Sequence, residues 1–325
     1  MITPVTVLTG FLGSGKTTLL NHLLRDTRFA DTAVLVNEWG EVAVDHALVR
    51  AASENVVVLA GGCICCRVAG DLVKALRELH FQRVEKAIPP FSRAVVETTG
   101  LADPGPLLAT LVEMPVVAAR YSLAGVVTVV DAQHGMSTLD HHPEAVKQVA
   151  MADRLVVSKC DLATSPAIDA LEARLLGINP GGRPARSGAT MPDAAALLET
   201  GLHRGAGRLG EAEGWLNAGA YRHARTASPH DPEIRSFVWS TPEPRPWDDV
   251  ESSLATLVDL RGARILRMKG LVNAVGEPGP RAVHAVHHTL YPSARLPAWP
   301  SEDHTTRLVF IGRGLEEREV AGILH

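Results

Sequence analysis

The sequence predicts an α/β protein: a doubly wound, mostly parallel sheet in a large N-terminal domain, followed by a smaller α+β C-terminal domain. Short continuous apolar runs recur along the N-terminal half, with helical segments between them. Such runs are typical of strands buried on both faces of a parallel sheet. Strands that alternate with helices predict the doubly wound arrangement. The composition changes near residue 200, which indicates a second domain.

The N-terminal domain is predicted to span residues 1–200. Its strands are predicted at Val5–Thr9, Ala33–Asn37, Val56–Ala60, Ala94–Glu97, Val126–Val130 and Leu155–Ser158. Its helices are predicted at Lys16–Arg25, Ala69–Leu79, Pro104–Val112, Pro143–Met151 and Ala167–Leu175. Ligands bind at the carboxyl ends of the strands in such sheets, so we expect the functional loops there.

Residues 201–232 are predicted to form a linker, because they are rich in Gly, Ala, His and Arg and show little periodicity. The second domain is predicted at residues 233–325. Its strands are predicted at Ile234–Trp239, Ala263–Lys269, Arg281–Thr289 and Arg307–Gly312, and its helices at Trp247–Leu260 and Glu316–Leu324.

The composition is that of an ordinary globular protein. The 325 residues are 46% hydrophobic and 21% charged, with a net charge of −4. This balance, without a basic cluster or an aromatic platform, argues against a nucleic-acid partner. No apolar run reaches membrane-spanning length, and the N-terminus lacks the basic segment of a signal peptide. Because three of the four cysteines lie close together, a disulfide framework is unfavourable, and we expect a cytoplasmic protein.

The clearest motif is a phosphate-binding loop, GFLGSGKT, which matches G-x-x-x-x-G-K-[ST] between a predicted strand and a predicted helix. Its glycines allow backbone N–H groups to cradle phosphate oxygens, and the helix N-terminus favours negative charge. Lys16 is expected to reach the β- and γ-phosphates, and the Thr17 hydroxyl to bind Mg²⁺. The nucleotide-binding residues predicted here are Gly10, Gly13, Ser14, Gly15, Lys16, Thr17 and Thr18.

A second phosphate-side element is ETTG, which begins at Glu97 and ends at Gly100. A carboxylate at this strand end can hold Mg²⁺ or its water, and the long side chain of Glu97 favours the water-mediated contact. Gly100 can present its N–H to the γ-phosphate. Lys16, Thr17 and Glu97 form the predicted catalytic set, although ETTG alone also fits a solvated strand end. Glu38 and Glu97 are both candidates for positioning the attacking water, and we expect slow intrinsic hydrolysis.

Base recognition is predicted at SKCD, residues 158–161. In GTPases an N-K-x-D sequence at this place reads guanine. The Asp accepts hydrogen bonds from the ring N1–H and the exocyclic NH₂, a pair that adenine does not offer. Lys159 and Asp161 keep this pattern, whereas Ser158 replaces the Asn. We therefore expect guanine selectivity without the usual Asn contact; a surface Lys-x-Asp turn is the alternative.

Three cysteines, Cys63, Cys65 and Cys66, lie within GGCICC. Thiolates are soft ligands that select Zn²⁺, Cu(I) or Fe–S clusters over Mg²⁺, and zinc prefers about four ligands. A site with at most three thiolates is therefore open, as a carrier requires. Alternating side chains let Cys63 and Cys65 share one side more easily than Cys65 and Cys66. The alternatives are buried apolar cysteines or a redox pair, for which the spacing is wrong.

Glu38, Glu41 and Asp45 in NEWGEVAVD are candidates to complete that metal site. The segment follows the second predicted strand, where the nucleotide-responsive loop of a GTPase is expected. If it supplies a ligand only when nucleotide orders it, the affinities for GTP and for metal are coupled. We hypothesise that the GTP state binds metal tightly and that hydrolysis releases it.

Two groups of histidines are weaker metal candidates. They are His134, His141 and His142 in the first domain and His284, His287 and His288 in the second. On the predicted strand, alternation separates His287 from His288 but leaves His284 and His288 on one face. We interpret both groups as ordinary surface or core histidines, with a secondary metal site as the alternative.

Together these motifs resemble the CobW-type P-loop GTPases. The resemblance rests on GFLGSGKTTLLN, VNEWGEVAVD, GGCICC, ETTGLADPGP and SKCDL in that order, and on ILRMKGLVN, AVHAVHHTLY and RLVFIGRGL in the second domain. It covers nearly the whole chain except the linker. The resemblance implies a metallochaperone or metal insertase in which GTP hydrolysis is coupled to loading or releasing a divalent metal, with zinc or cobalt the usual candidates. It also implies GTP, GDP and Mg²⁺ as ligands, and a client metalloprotein or metal-cofactor pathway as the partner.

Two other functions stay open on the sequence. A small-molecule kinase would use the loop with ATP, and would need an acceptor pocket but no CxCC motif. A non-enzymatic zinc-binding regulator would carry a vestigial nucleotide site. The intact Lys16, Thr17 and Glu97 argue against the regulator.

Overall fold

The chain divides into two compact units. The computed structural model of the protein describes residues 2–37, 56–59, 67–198, 216–223 and 233–325. The first unit comprises residues 1–172 and 184–200, and the second comprises residues 173–183 and 201–325. The second unit thus takes in a short segment, residues 173–183, that the predicted boundaries assign to the first domain.

A parallel sheet organises the first unit. The strands are β1 (Thr3–Gly10), β2 (Thr32–Asn37), β3 (Val56–Leu59), β4 (Arg93–Glu97), β5 (Tyr121–Asp131), β6 (Arg154–Ser158) and β7 (Pro184–Arg186). Their spatial order is β3-β2-β4-β1-β5-β6-β7, and every pair is parallel. The predicted parallel α/β sheet is confirmed. The sequence did not predict β7, a three-residue strand that begins at a proline.

Helices follow the strands in the alternation that the sequence predicts. The described α-helices are α1 (Lys16–Arg25), α2 (Arg67–Val84), α3 (Gly105–Glu113), α4 (Pro115–Ala118), α5 (Gly135–His141), α6 (Pro143–Met151), α7 (Ser165–Ile178), α8 (Ala194–Leu198), α9 (Ala218–His223), α10 (Trp247–Arg261) and α11 (Glu317–Leu324). Four leucines of α1 pack into one buried cluster with residues of the central strands, among them Leu8 and Val95. Burial of each such side chain contributes about 1.5–3 kcal/mol. This packing also fixes the loop between β1 and α1.

The second unit is an antiparallel sheet with two helices packed into its core. The strands are β8 (Ile234–Thr241), β9 (Ile265–Val272), β10 (Arg281–Val286), β11 (Thr289–Leu290), β12 (Ala294–Arg295) and β13 (Thr306–Arg313). Their order is β11-β10-β9-β13-β8, and β12 also pairs with β10. Side chains of α10 and α11 join the sheet in one cluster, where the rings of Phe237 and Phe310 stack 5.2 Å apart. This agrees with the predicted α+β class.

The predicted continuous strand Arg281–Thr289 is wrong. β10 ends at Val286, and β11 pairs back on it with Val286 opposite Thr289. The two residues between them form a turn in which His287 has a left-handed φ of 50°. His284 and His288 therefore do not share a strand face. His284 is buried and stacks on Tyr291, with ring centroids 3.8 Å apart.

No helix in the described ranges is both long enough and apolar enough to cross a lipid bilayer.

Helix α11 begins with a capping box that involves an ion pair. The side chain of Glu316 accepts from the backbone of Glu319, whose own carboxylate accepts from the backbone N–H of Glu316. Arg264 Nη1 and Nη2 donate to the two carboxylate oxygens of Glu319 at 2.8 and 2.7 Å. These bonds hold the pKa of Glu319 at about 2, below its usual value of 4.5.

We expect Glu319→Gln to lower the free energy of unfolding by about 1 kcal/mol at pH 7. Because the folded-state pKa is depressed, this contribution is complete above pH 4.5 and is lost as the pH falls toward 2. Urea unfolding followed by tryptophan fluorescence measures it, with Glu251→Gln, an exposed change on α10, as the control. A loss that persists undiminished at about pH 2.5 would contradict the prediction.

Candidate functional site

The loop between β1 and α1 has the backbone that phosphate binding requires. Gly13 and Gly15 have left-handed φ angles of 71° and 91°. Only glycine adopts such angles at little energetic cost, because it has no Cβ. Gly15 is the N-cap of α1, so the N-terminal N–H groups of this helix face the loop. Ser14 is buried in the loop, and Thr18 is exposed in the first turn. Gly10, buried at the end of β1, begins the loop.

The amine of Lys16 lies inside this loop. Its Nζ donates to the carbonyl oxygens of Gly10 at 3.0 Å and Phe11 at 3.2 Å. The side chain is 8% exposed. A buried cation held at the mouth of a loop of N–H donors suits an anionic ligand.

Thr17 and Glu97 meet at the edge of the sheet. Thr17 Oγ1 donates to Glu97 Oε1 at 2.8 Å, and Glu97 is only 4% exposed. A hydroxyl and a carboxylate are hard oxygen donors, the type that Mg²⁺ prefers. The two residues predicted to hold Mg²⁺ are therefore adjacent, and their chemistry fits that ion.

Gly100 lies directly against the phosphate-binding loop. A Cβ added at Gly100 would lie 2.4 Å from the backbone nitrogen of Leu12 and 2.6 Å from its Cα. No side chain fits there, because real Cβ atoms do not approach backbone atoms so closely. The ETTG segment is thus in contact with the loop, as its predicted role at the γ-phosphate requires.

Ser158 connects the base-recognition motif to the phosphate-binding loop. Its Oγ donates to the carbonyl oxygen of Ser14 at 2.6 Å and lies 3.3 Å from that of Val130. The side chain is 7% exposed. The residue that replaces Asn in the motif therefore anchors the end of β6 to the loop.

Lys159 and Asp161 take different positions after β6. Lys159 has a left-handed φ of 56°, which costs a non-glycine residue roughly 1–2 kcal/mol. Its Nζ forms an ion pair with Asp131 Oδ2 at 2.6 Å. Asp131 Oδ1 also accepts from the backbone N–H of Gln133 at 2.7 Å. Asp161 is exposed, so its carboxylate is accessible to a ligand.

A loop after β7 completes this side of the site. The backbone N–H of Cys160 donates to the carbonyl oxygen of Ser187 at 3.0 Å. A Cβ at Gly188 would lie 2.9 Å from both the backbone nitrogen and Oδ1 of Asp161. Burial raises the pKa of the Cys160 thiol above its usual value. The loop is therefore packed against the motif that is predicted to read the base.

A cavity of about 120 Å³ adjoins both parts of the site. Its walls include Phe11 and Ser14 from the phosphate-binding loop and Asp131 and Lys159 from the base-recognition side. Gln148 of α6 forms another part of the wall.

Two protein-family models match the chain. The nucleotide-binding domain of CobW/HypB/UreG matches residues 4–184. The C-terminal domain of the cobalamin synthesis protein CobW matches residues 234–325. The chain belongs to the CobW family. Its described phosphate-binding loop, ETTG segment and SKCD motif all lie within the first match, as the sequence resemblance predicted.

Relatives of this CobW-family chain match it from end to end. The zinc chaperone YjiA of Escherichia coli K12 is 34% identical over 316 residues, which are 97% of this chain and 96% of its own length. The structure of Zn(II)-bound YjiA GTPase from E. coli covers 99% of this chain and 98% of its own, with a TM-score of 0.71 and 26% identity. A Zn(II)-bound triple mutant of YjiA, with one glutamate and two cysteines replaced by alanine, gives a TM-score of 0.70 and 27% identity.

The predicted transition-metal ligands of this CobW-family chain lie outside the described residues. They are Cys63, Cys65, Cys66, Glu38, Glu41 and Asp45. Within the described ranges, no group of three or more His, Cys, Asp and Glu side chains could hold a metal ion. His142 lies beside Phe11, with ring centroids 4.3 Å apart, and His141 Nδ1 lies 2.7 Å from the carbonyl oxygen of Ser137.

Asp131 and the loop at Ser187 were not predicted from the sequence. Asp131 is the last residue of the apolar strand β5, and a carboxylate in that position could have suggested a partner for Lys159. Ser187 and Gly188 follow β7, which was too short to predict. The available signal for this loop was its run of small residues, SGAT, at positions 187–190.

We expect Ser158→Ala to lower the free energy of unfolding by about 1–2 kcal/mol, because the carbonyl oxygen of Ser14 loses a buried hydrogen bond. Thermal denaturation followed by circular dichroism measures the change. Ser137→Ala, an exposed change on α5, is the matched control. Equal melting temperatures for the two variants would show that the bond to the loop contributes nothing.

Proposed function

We propose that this CobW-family chain binds and hydrolyses GTP and carries a divalent metal, zinc or cobalt, that it delivers to a client protein or cofactor pathway. Nucleotide state controls the affinity for the metal. The observation that supports the proposal most directly is the Thr17–Glu97 pair beside the amine of Lys16 in the phosphate-binding loop. A vestigial nucleotide site would have no need of all three groups.

The loop and its neighbours would bind the phosphates in defined roles. The N–H groups from Gly13 to Thr18 and the amine of Lys16 would hold the β- and γ-phosphates. Thr17 and Glu97 would hold Mg²⁺, Glu97 through a water molecule. The bound ion would stabilise the charge that develops on the phosphates. Intrinsic hydrolysis is expected to be slow, so that a partner can accelerate it.

Asp161 and Lys159 would select guanine. The exposed carboxylate of Asp161 accepts from the N1–H and NH₂ of guanine, while adenine lacks this pair of donors. The backbone of Lys159 is left-handed, its amine pairs with Asp131, and Gly188 packs against Asp161. Strained backbone of this kind is concentrated at functional sites.

We expect Asp161→Asn to weaken GTP binding by about 100-fold, because charge-assisted bonds to N1–H and NH₂ are lost. The same variant should gain affinity for xanthosine triphosphate, whose C2 carbonyl accepts from the new amide. Isothermal titration with GTP, xanthosine triphosphate and ATP measures both changes.

Asp259→Asn, an exposed change on α10, is the control for loss of charge. Wild-type preference for ATP, with turnover that needs an acceptor molecule, would favour a kinase instead. If the variant loses affinity for GTP without gaining affinity for xanthosine triphosphate, Asp161 does not read the base.

The cargo is proposed from the thiolate chemistry and from the relatives. The CxCC motif offers at most three soft ligands to a metal that prefers about four. Glu38 or Glu41 would complete the coordination in the GTP state. The end-to-end match to a zinc chaperone favours zinc over cobalt.

We expect Zn²⁺ to bind about tenfold or more tightly with a non-hydrolysable GTP analogue than with GDP, the usual range of coupling between two sites. Cys65→Ser should abolish this difference in affinity. Cys160→Ser, which changes the cysteine outside CxCC, should preserve it. Competition with a zinc indicator dye measures the affinities.

The titrations should be fitted for more than one site, because the YjiA variant without one glutamate and two cysteines is still Zn(II)-bound. Equal zinc affinity in the two nucleotide states would rule out nucleotide-controlled delivery. Co²⁺, titrated in parallel, tests the choice of metal.

A further inference from the structure

Helix α6 holds the ETTG segment through a buried glutamine. Gln148 is 1% exposed, and its Nε2 donates to the carbonyl oxygens of Gly100 at 3.1 Å and Ala102 at 2.9 Å. A glutamine amide has two N–H donors, and both therefore bind carbonyl oxygens of residues 100–102. The same residue forms part of the wall of the cavity beside the phosphate-binding loop.

The preceding residue of α6 holds Asp103, three residues beyond the end of the ETTG segment. Lys147 Nζ pairs with Asp103 Oδ2 at 2.8 Å. Asp103 Oδ1 in turn accepts from the backbone N–H of Gly105 at 2.9 Å, the first residue of α3. Two neighbouring side chains of one helix thus fix residues 100–103 at three points.

Helix α6 is itself connected to the sheet and to the phosphate-binding loop. Thr128 Oγ1 on β5 donates to the backbone carbonyl of Gln148 at 2.8 Å. His142, directly before the helix, lies against the ring of Phe11. These contacts attach the backbone of α6 to β5 and its N-terminal end to the phosphate-binding loop, and the side chains of Gln148 and Lys147 then reach residues 100–103.

Gly100 has little room to adjust, because the backbone of Leu12 occupies the space that a Cβ would need. A small displacement of this residue would change where its N–H points. Groups that stabilise charge act best when they are already in position. A donor to the γ-phosphate must be fixed in this way if it is to distinguish GTP from GDP.

We propose that Gln148 is a positioning residue for nucleotide discrimination: it holds Gly100 so that its backbone N–H faces the terminal phosphate of GTP. Lys147 supports the same segment through Asp103. The inference rests on the proposed GTP site and extends it to a residue outside the recognised motifs. Gln148 itself touches no phosphate and acts only through Gly100.

The test is the ratio of affinities for a non-hydrolysable GTP analogue and for GDP, measured by isothermal titration with Mg²⁺. Gln148→Leu keeps most of the side-chain volume and removes both donors. We expect this variant to lower the affinity for the GTP analogue about tenfold relative to the affinity for GDP. This is the effect of losing one hydrogen bond to a charged group. The rate constant kcat should fall by a larger factor than KM changes.

Thr128→Val is the matched control, because it removes the bond from β5 to the same helix and leaves the Gln148 amide intact. It should lower the melting temperature and leave the affinity ratio unchanged. Lys147→Met, at a partly exposed position, provides a second variant if Gln148→Leu does not fold. We expect it to shift the ratio in the same direction by about threefold.

An unchanged ratio in each folded variant of Gln148 or Lys147 would overturn the inference and leave the nucleotide site standing. A ratio that shifts equally in Thr128→Val would overturn it too, since general loosening of α6 would then explain the effect. If the wild-type chain binds neither nucleotide, the proposed function fails first and this inference falls with it.

Discussion

Parallel pairing of the central strands is the constraint on which the whole candidate site depends. Leu8 of β1 lies opposite Glu97 of β4, Gly10 lies opposite Val129 of β5, and Asp131 lies opposite Ser158 of β6. Because the strands run the same way, their carboxyl ends reach one edge together. Strand pairing therefore brings together three elements that are far apart in the sequence: the phosphate-binding loop, a candidate Mg²⁺ ligand and the base-recognition motif.

Side-chain contacts then fix the loops that leave this edge. Ser158 holds the phosphate-binding loop at Ser14, Thr17 joins it to β4 through Glu97, and Gly100 closes against Leu12. The contact from Ser158 comes from the end of β6, and the other two come from the end of β4. A nucleotide would bind to groups that are already oriented. The loops would therefore lose little conformational entropy on binding.

The fold class, which is confirmed, and the candidate phosphate-side residues could both be predicted from the sequence because they have local signatures. The run from β1 through the loop to α1 combines a buried strand, positive-φ glycines and a helix start within one short segment. Ser158 is the instructive exception: the motif showed only that an Asn was missing, whereas the structure shows its hydroxyl binding the loop. The contacts of Gln148 and Asp131 could not be read from sequence, because they depend on which strand ends and helices become neighbours. The break at His287 was missed because the run from Arg281 to Thr289 contains none of the Gly, Pro, Asn, Asp or Ser residues that usually mark a turn.

The same geometry bears on how a metal site could respond to nucleotide. Strands β2 and β3 end at Asn37 and Leu59, which lie opposite each other, and β2 pairs with β4 so that Val36 faces Glu97. Glu38 follows β2 directly in the sequence, and Cys63 comes soon after β3. Four positions separate Cys63 from Leu59 in the sequence, so these candidate ligands are close along the chain to two neighbouring strand ends. The proposed coupling between nucleotide and metal would therefore need only the short stretches of chain that follow β2 and β3, and no long relay through the protein.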